Sequence, residues 1–194
     1  MYFSADVETD GAIPGPFSLL SFGLVYAGRF DGKVFEAPDH YDQTFYRELR
    51  PISPTFEPEA LQVNRLDRDR LLKEGCDPVN AMTDVCRWVR QIAGSARPVL
   101  VAYPLSFDWT FLYWYFVKYS LEGSPFNHSS CFDIKTAIAV QNHLPIAQSG
   151  RAGLVGLDLD AKRPHTHNAL DDAIEQAEIF ARLFKGNRTH GGAP

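Results

Sequence analysis

At 194 residues, with 45% apolar and 22% charged side chains, the chain has the size and composition of one globular domain with its own core. Its net charge of −5 excludes a global basic field that would draw the molecule along nucleic acid duplexes, so any nucleic acid must be met at a local site. Three cysteines (Cys76, Cys86, Cys131) without metal-type spacing exclude a disulfide scaffold, and no apolar run is long enough to span a membrane. With an amino terminus that enters a strand and shows no signal-peptide pattern, the expectation is a cytoplasmic protein.

Residues 2–11 open as an apolar strand that runs into Asp6, Glu8 and Asp10, then turns at Gly11. Side chains alternate along a strand, so Asp6 and Glu8 share a face. Two adjacent carboxylates repel, and an Mg²⁺ or Mn²⁺ ion between them removes that cost. A strand running out into a solvated acidic turn accounts for the same residues. After a Pro/Gly loop, residues 17–27 form a second strand, most simply antiparallel to the first. Asp31-Gly32 marks a hairpin between short β-like pieces, and residues 44–50 form a third strand ending at Pro51.

Short helices are expected from Pro58 and over residues 67–74, the latter stopped by Gly75. Asp77-Pro78 opens a longer helix with Asp77 as N-cap. Its apolar stripe runs through Val79, Met82, Val85, Cys86, Val89 and Ile92, and Gly94 ends it. Residues 98–103 are almost continuously apolar, as in a buried parallel strand, and lead to Asp108. An aromatic-rich helix follows over 109–119; most of its rings belong to the core, although base stacking is the other use of such density. Residues 131–134 form a short strand leading to a helix over 135–143, with Asp133 as a capping residue. Residues 145–163 are a glycine-containing loop, and the last helix runs over about 168–184, with Asn168 as N-cap.

This order predicts an α/β fold: a mixed five-stranded sheet, antiparallel at the opening strands and then parallel, flanked by helices on both faces. Asp6 and Glu8 then stand at the carboxyl end of the first strand, where open α/β sheets place their ligands. Asp108 follows the next long buried strand; if the two strands are neighbours, three carboxylates converge. In the last helix Leu170, Ala173, Ile174, Ala177, Ala181 and Phe184 make one apolar face. The helical wheel sets Asp172 away from that face, where a solvated acid is one reading, and the wheel does not decide it.

Here the chain resembles the DnaQ-like, or DEDDh, 3′–5′ exonucleases of the ribonuclease H-like superfamily. Asp6-Val7-Glu8-Thr9 matches their first motif. Asp108 stands for the second, and His167-Asn168-Ala169-Leu170-Asp171-Asp172-Ala173 matches the third, in order and spacing over roughly residues 2 to 184. The sequence departs from the pattern at Thr9-Asp10-Gly11 and at Tyr103-Pro104, where the family often carries His or Asn before the acid.

The resemblance implies a ribonuclease H-like fold and one exonuclease domain over residues 1–185, with a flexible tail over 186–194. It implies hydrolysis of terminal phosphodiesters of single-stranded RNA or DNA by a two-metal-ion mechanism. Asp6, Glu8, Asp108 and Asp172 would hold Mg²⁺ or Mn²⁺ ions, and His167 would be the general base. His165 has no counterpart in the family and reads as a loop residue, Asp133 as a structural cap, Asp171 as a helix-start acid. Ile13, Phe17 and Leu19 are candidates for an apolar wedge against the terminal base. The expected partners are single-stranded 3′ ends, with a homodimer allowed by analogy and no membrane. The alternatives are a proofreading-type DNA exonuclease subunit of a larger complex, a nucleic-acid-binding protein with an inactive site, and a metal-dependent hydrolase of another kind.

Overall fold

The computed structural model describes residues 1–154, 157, 159 and 164–186. Its centre is β1 (Tyr2–Thr9), whose alternating side chains separate two apolar layers. β2 (Leu19–Phe30) pairs antiparallel with β1 on one side, and β5 (Val99–Ala102) pairs parallel on the other. β6 (Cys131–Asp133) extends the parallel side next to β5. β3 (Phe35–Glu36) and β4 (Thr44–Glu48) both pair antiparallel with β2. The sheet is therefore mixed, as expected, in the order β3-β2-β1-β5-β6 with β4 also on β2. Among the described residues it has six strands rather than five, because a two-residue edge strand forms around the Asp31-Gly32 turn, whose Asp31 carboxylate accepts from the amides of Lys33 and Val34.

Phe3, Ala5 and Val7 of β1 pack on one face against α3 (Pro78–Ala93) and α4 (Leu105–Tyr119). The other face is covered by α5 (Ile134–Gln141) and α6 (Ala169–Gly186), which pack on Val25, Ala27, Val101 and Tyr103. The expected caps are in place. The Asp77 carboxylate accepts from the amides of Val79 and Asn80, that of Asp133 from Lys135 and Thr136, and the Asn168 side chain from Leu170 and Asp171. α4 begins at Leu105, four residues ahead of the sequence expectation, so Asp108 lies inside its first turn. The tail expected over 186–194 falls outside the described residues apart from Gly186, which ends α6.

Two local devices hold the end of β1. The first is a buried ion pair. Asp10 accepts from the Ser18 amide and, at 2.9 Å, from Arg68 Nε of α2 (Arg68–Glu74). The same guanidinium donates to the Ser53 carbonyl, and Asn64 of α1 (Pro58–Asn64) donates to the Thr9 carbonyl at 2.9 Å. Asp10, a departure from the family pattern in sequence, is thus the anchor that ties both short helices to the strand end. The second device is Gly23, paired with Asp6 across β1 and β2. A Cβ there would lie 2.5 Å from the Ala169 carbonyl oxygen and the Leu170 Cα, so only glycine lets the start of α6 press onto the sheet beside Asp6.

Removing one partner of a buried ion pair leaves an uncompensated charge. Arg68→Ala is therefore expected to lower the unfolding free energy by about 3 kcal/mol in chemical denaturation. Gly23→Ala meets backbone rather than a flexible side-chain tip, and a loss of about 1–3 kcal/mol is expected in the same measurement. A wild-type midpoint for either variant would contradict the role given to that residue.

Candidate active site

β1 delivers Asp6 and Glu8 on the face toward α6, and α6 brings Asp172 to meet them. One oxygen from each of the three carboxylates lies within 4.8 Å of the other two. Asp172 is fully buried, contrary to the solvated acid read from the helical wheel. α6 is covered on more than one side, by the sheet and by α5, so it has no broad solvated face. Asp171, its neighbour in sequence, is exposed.

Asp108 is also buried, and its Oδ1 accepts from the Val7 amide at 3.1 Å. The second-motif acid is thus fastened to the backbone between the two first-motif acids. Gln176, one turn beyond Asp172, donates from Nε2 to Asp6 Oδ1 at 2.7 Å. The loop before α6 folds back over its first turn. Asp172 accepts from the amides of Thr166 and His167, both at 2.8 Å. His167 takes φ +58°, a conformation that costs a non-glycine residue about 1–2 kcal/mol and that these two bonds offset. The His167 residue is exposed at the rim of the acidic cluster.

His165, read from the sequence as a loop residue, is built into the site. Its Nδ1 lies 3.0 Å from Asp172 Oδ2 and 3.4 Å from Glu175 Oε2, and its ring stands edge-on to that of His167 at 4.4 Å. Glu175 is in turn held by Arg151, whose Nε is 3.2 and 3.0 Å from the two carboxylate oxygens. Glu175 and Gln176 carry a signal that was open to reading, since they follow Asp172 by three and four residues and so share its side of the helix. Arg151 lies in a single short turn (Arg151–Leu154) within the long loop, and no spacing in the sequence points to it.

Other candidates separate cleanly. Asp133 is a helix cap, as read. Phe111, Tyr115 and Phe116 are core, and the Tyr115 hydroxyl accepts from the Leu19 amide at 2.8 Å. Phe107 and Tyr113 stay exposed on α4. Leu19 is fully buried and cannot touch a substrate, Phe17 is half-buried against Gly11, and Ile13 is open to solvent. The three cysteines are free. Among the described residues no helix is long and apolar enough to cross a membrane.

The electrostatics follow from crowding acids in a dry place. Burial pushes the Glu8 carboxyl up to about 8, with Asp6 and Asp172 adding to the rise. Asp6 is held well above the ordinary carboxylate range by burial first, then by Asp108 and Asp172. Burial likewise raises Asp108 to about 8, against the pull of its bond from the Val7 amide. Burial works against ionisation of Asp172 too, but hydrogen bonds from His165 and the Thr166 amide hold its carboxyl below the ordinary value. His165 is raised to about 9 by its bonds to Asp172 and Glu175. An oxygen-only set of buried carboxylates with too little positive charge is the environment a hard divalent cation fits, so the residues present suit Mg²⁺ or Mn²⁺.

The pH dependence of stability has a definite sign. Glu8 has a folded value above its ordinary 4.5, so its contribution is full below pH 4.5 and is lost as pH rises toward 8. The His165 contribution is full below 6.5 and is lost as pH rises through 9. Asp172 acts the other way, losing its contribution only as pH falls below its ordinary 3.8. The melting temperature of chelator-treated protein is therefore expected to fall by several degrees from pH 5 to pH 9, and Glu8→Gln to flatten that slope. A melting temperature rising over this interval would contradict the assignment.

No protein-family model matches the chain. Among curated proteins it is 33% identical over 186 residues to the 3′–5′ DNA exonuclease Cap18 of Escherichia coli, a match covering 95% of this chain and 92% of that protein. It is 26% identical over 194 residues to ribonuclease T of Shewanella denitrificans, covering 97% of this chain and 82% of that one. Among solved structures, the nuclease domain of 3′hExo, a DEDDh family member bound to rAMP, superposes with a TM-score of 0.70 at 15% identity, over 95% of this chain and 92% of that one. Pop2p of S. pombe in its Mg²⁺- and Mn²⁺-bound form gives a TM-score of 0.65 at 14% identity, over 100% and 86%. At such identities these two structures share the fold.

Proposed function

The chain belongs to the DEDDh 3′–5′ exonuclease family, and from that membership we propose that it trims single-stranded DNA from the 3′ end with divalent metal ions held by Asp6, Glu8, Asp108 and Asp172. The observation that carries the proposal is the meeting of Asp6, Glu8 and Asp172 within 4.8 Å, with Asp108 fastened between the first two at Val7. DNA is chosen over RNA because the relative that shares a third of its residues with this chain is named a DNA exonuclease; ribonuclease T, at 26%, is the weaker guide. The unit that acts is one exonuclease domain over residues 1–185.

When bound, a pair of Mg²⁺ or Mn²⁺ ions lowers the pKa of the attacking water and neutralises charge on the attacking and leaving oxygens. The protein's own part is positioning and proton transfer. Asp6 is held in place by Gln176, and Asp108 by the Val7 amide, so neither acid has to reorganise. Asp172 keeps its charge through the amides of Thr166 and His167. His167, exposed at the rim, takes the proton of the attacking water on a ring nitrogen. A bond forms from the water oxygen to phosphorus, the bond from phosphorus to the 3′ oxygen of the preceding nucleotide breaks, and that oxygen takes its proton from solvent. The products are a nucleoside 5′-monophosphate and a strand one residue shorter with a free 3′ hydroxyl.

The test uses 5′-labelled single-stranded DNA and RNA oligomers with Mg²⁺ or Mn²⁺. A 3′-shortening ladder is expected, faster on DNA and abolished by chelator and by Asp6→Asn. His167→Ala should slow it by about 100-fold or more, the usual contribution of a general base. Oligomers left intact with both metals would overturn the proposal, and a faster ladder on RNA would overturn the choice of sugar.

A further inference from the structure

Arg151 stands behind this site with one of its three guanidinium nitrogens unpartnered among the described residues. Nε is fully engaged, 3.2 and 3.0 Å from the two oxygens of Glu175, which is itself 5% exposed. The guanidinium carbon lies 5.0 Å from the centre of the Tyr103 ring, and Nη1 reaches the Tyr103 carbonyl at a long 3.5 Å. Nη2 is enclosed and has no hydrogen-bond partner among the described residues. A buried donor left without an acceptor destabilises the fold, so a native site that keeps one has a use for it. The position of the group narrows that use. Glu175 Oε2 lies 3.4 Å from His165 Nδ1, which is 3.0 Å from Asp172 Oδ2, so a chain of three contacts joins the guanidinium to an acid of the cluster.

Glu175 fixes the plane of the guanidinium, and the Tyr103 ring supports its face. What remains is one charged donor, Nη2, held in a fixed plane and without an acceptor among the described residues. The anion whose geometry and charge match such a donor is phosphate. We infer that Arg151 is a further catalytic residue, whose Nη2 donates to a non-bridging oxygen of the phosphate being cleaved. The inference rests on the exonuclease reading above and names the cationic side chain that meets its substrate. In that reaction the phosphodiester carries one negative charge and gains a second on its non-bridging oxygens as water adds, before leaving as the monophosphate. A donor fixed in advance favours the doubly charged state over the singly charged one, so Arg151 acts on turnover more than on substrate affinity. Glu175 is then a positioning residue and not a spare metal ligand, since both of its oxygens already face the guanidinium.

The full-length protein is assayed on the 5′-labelled DNA oligomer with Mg²⁺, as wild type, Arg151→Ala and Arg151→Lys. Arg151→Ala should lower kcat by about 100-fold with KM changed by less than about threefold. Arg151→Lys keeps the charge without the planar fork and should lose about tenfold. Added guanidinium ion at millimolar concentration should restore Arg151→Ala by tenfold or more and leave wild type unchanged, a response that a merely structural arginine does not produce. By calorimetry with Ca²⁺ in place of Mg²⁺, deoxyadenosine 5′-monophosphate should bind about tenfold more weakly to Arg151→Ala. Wild-type kcat in folded Arg151→Lys would overturn the inference, as would absent guanidinium rescue together with unchanged monophosphate binding. An inactive wild type would instead overturn the exonuclease reading.

Discussion

Mutual repulsion among buried carboxylates is the constraint around which this molecule is arranged. Asp6, Glu8, Asp108 and Asp172 come from two strand positions and the first turns of two helices, and they share a region poor in water. Charged groups in such a place resist ionisation, which is why three of the four are driven upward in pKa. The fold tolerates the arrangement because polar contacts are aimed at three of the four acids. An amide of β1 meets Asp108, a glutamine of α6 meets Asp6, and two loop amides meet Asp172. The same excess of negative charge that weakens the metal-free fold suits the site to divalent cations.

That arrangement needs three elements to meet at fixed distance, and the support lies outside the acids themselves. The Asp10–Arg68 pair clamps the end of β1 to α2, while Asn64 ties α1 to the same strand end. Gly23 removes the one Cβ that would hold α6 away from the sheet. On the far side the aromatic cluster of Tyr2, Phe35, Phe180 and Phe184 secures the other end of α6 against the edge hairpin. α6 is thus seated at both ends, and Asp172 near its start inherits that rigidity.

A second circle of charge lies behind the acids. His165 bridges Asp172 and Glu175, and Arg151 closes the circle from Glu175 to the Tyr103 backbone. The links to Arg151 span 24 and 48 residues of chain, so the set exists only once the chain has folded.

The sequence by itself determined the strand that carries Asp6 and Glu8, the shared face of those two acids, the antiparallel-then-parallel order of the sheet, and the caps at Asp77, Asp133 and Asn168. These are local matters: alternation along a strand, a side-chain oxygen reaching an amide two or three residues on, an apolar run that must be buried. The motif spacing also pointed to Asp108, His167 and Asp172, although the helical wheel set Asp172 toward solvent. Tertiary structure alone decided that Asp172 is buried, because a wheel describes one helix and not the sheet and second helix that enclose it. It alone gave Asp10 to Arg68, set His165 against Asp172, and brought Arg151 from a loop to Glu175. Those pairings span 58, 7, and 24 residues of chain, with Glu175 as the partner of Arg151. In none of them does a local propensity favour the contact. They form because packing first brings the charges together in a region of low dielectric, and there an unpaired charge costs too much to remain.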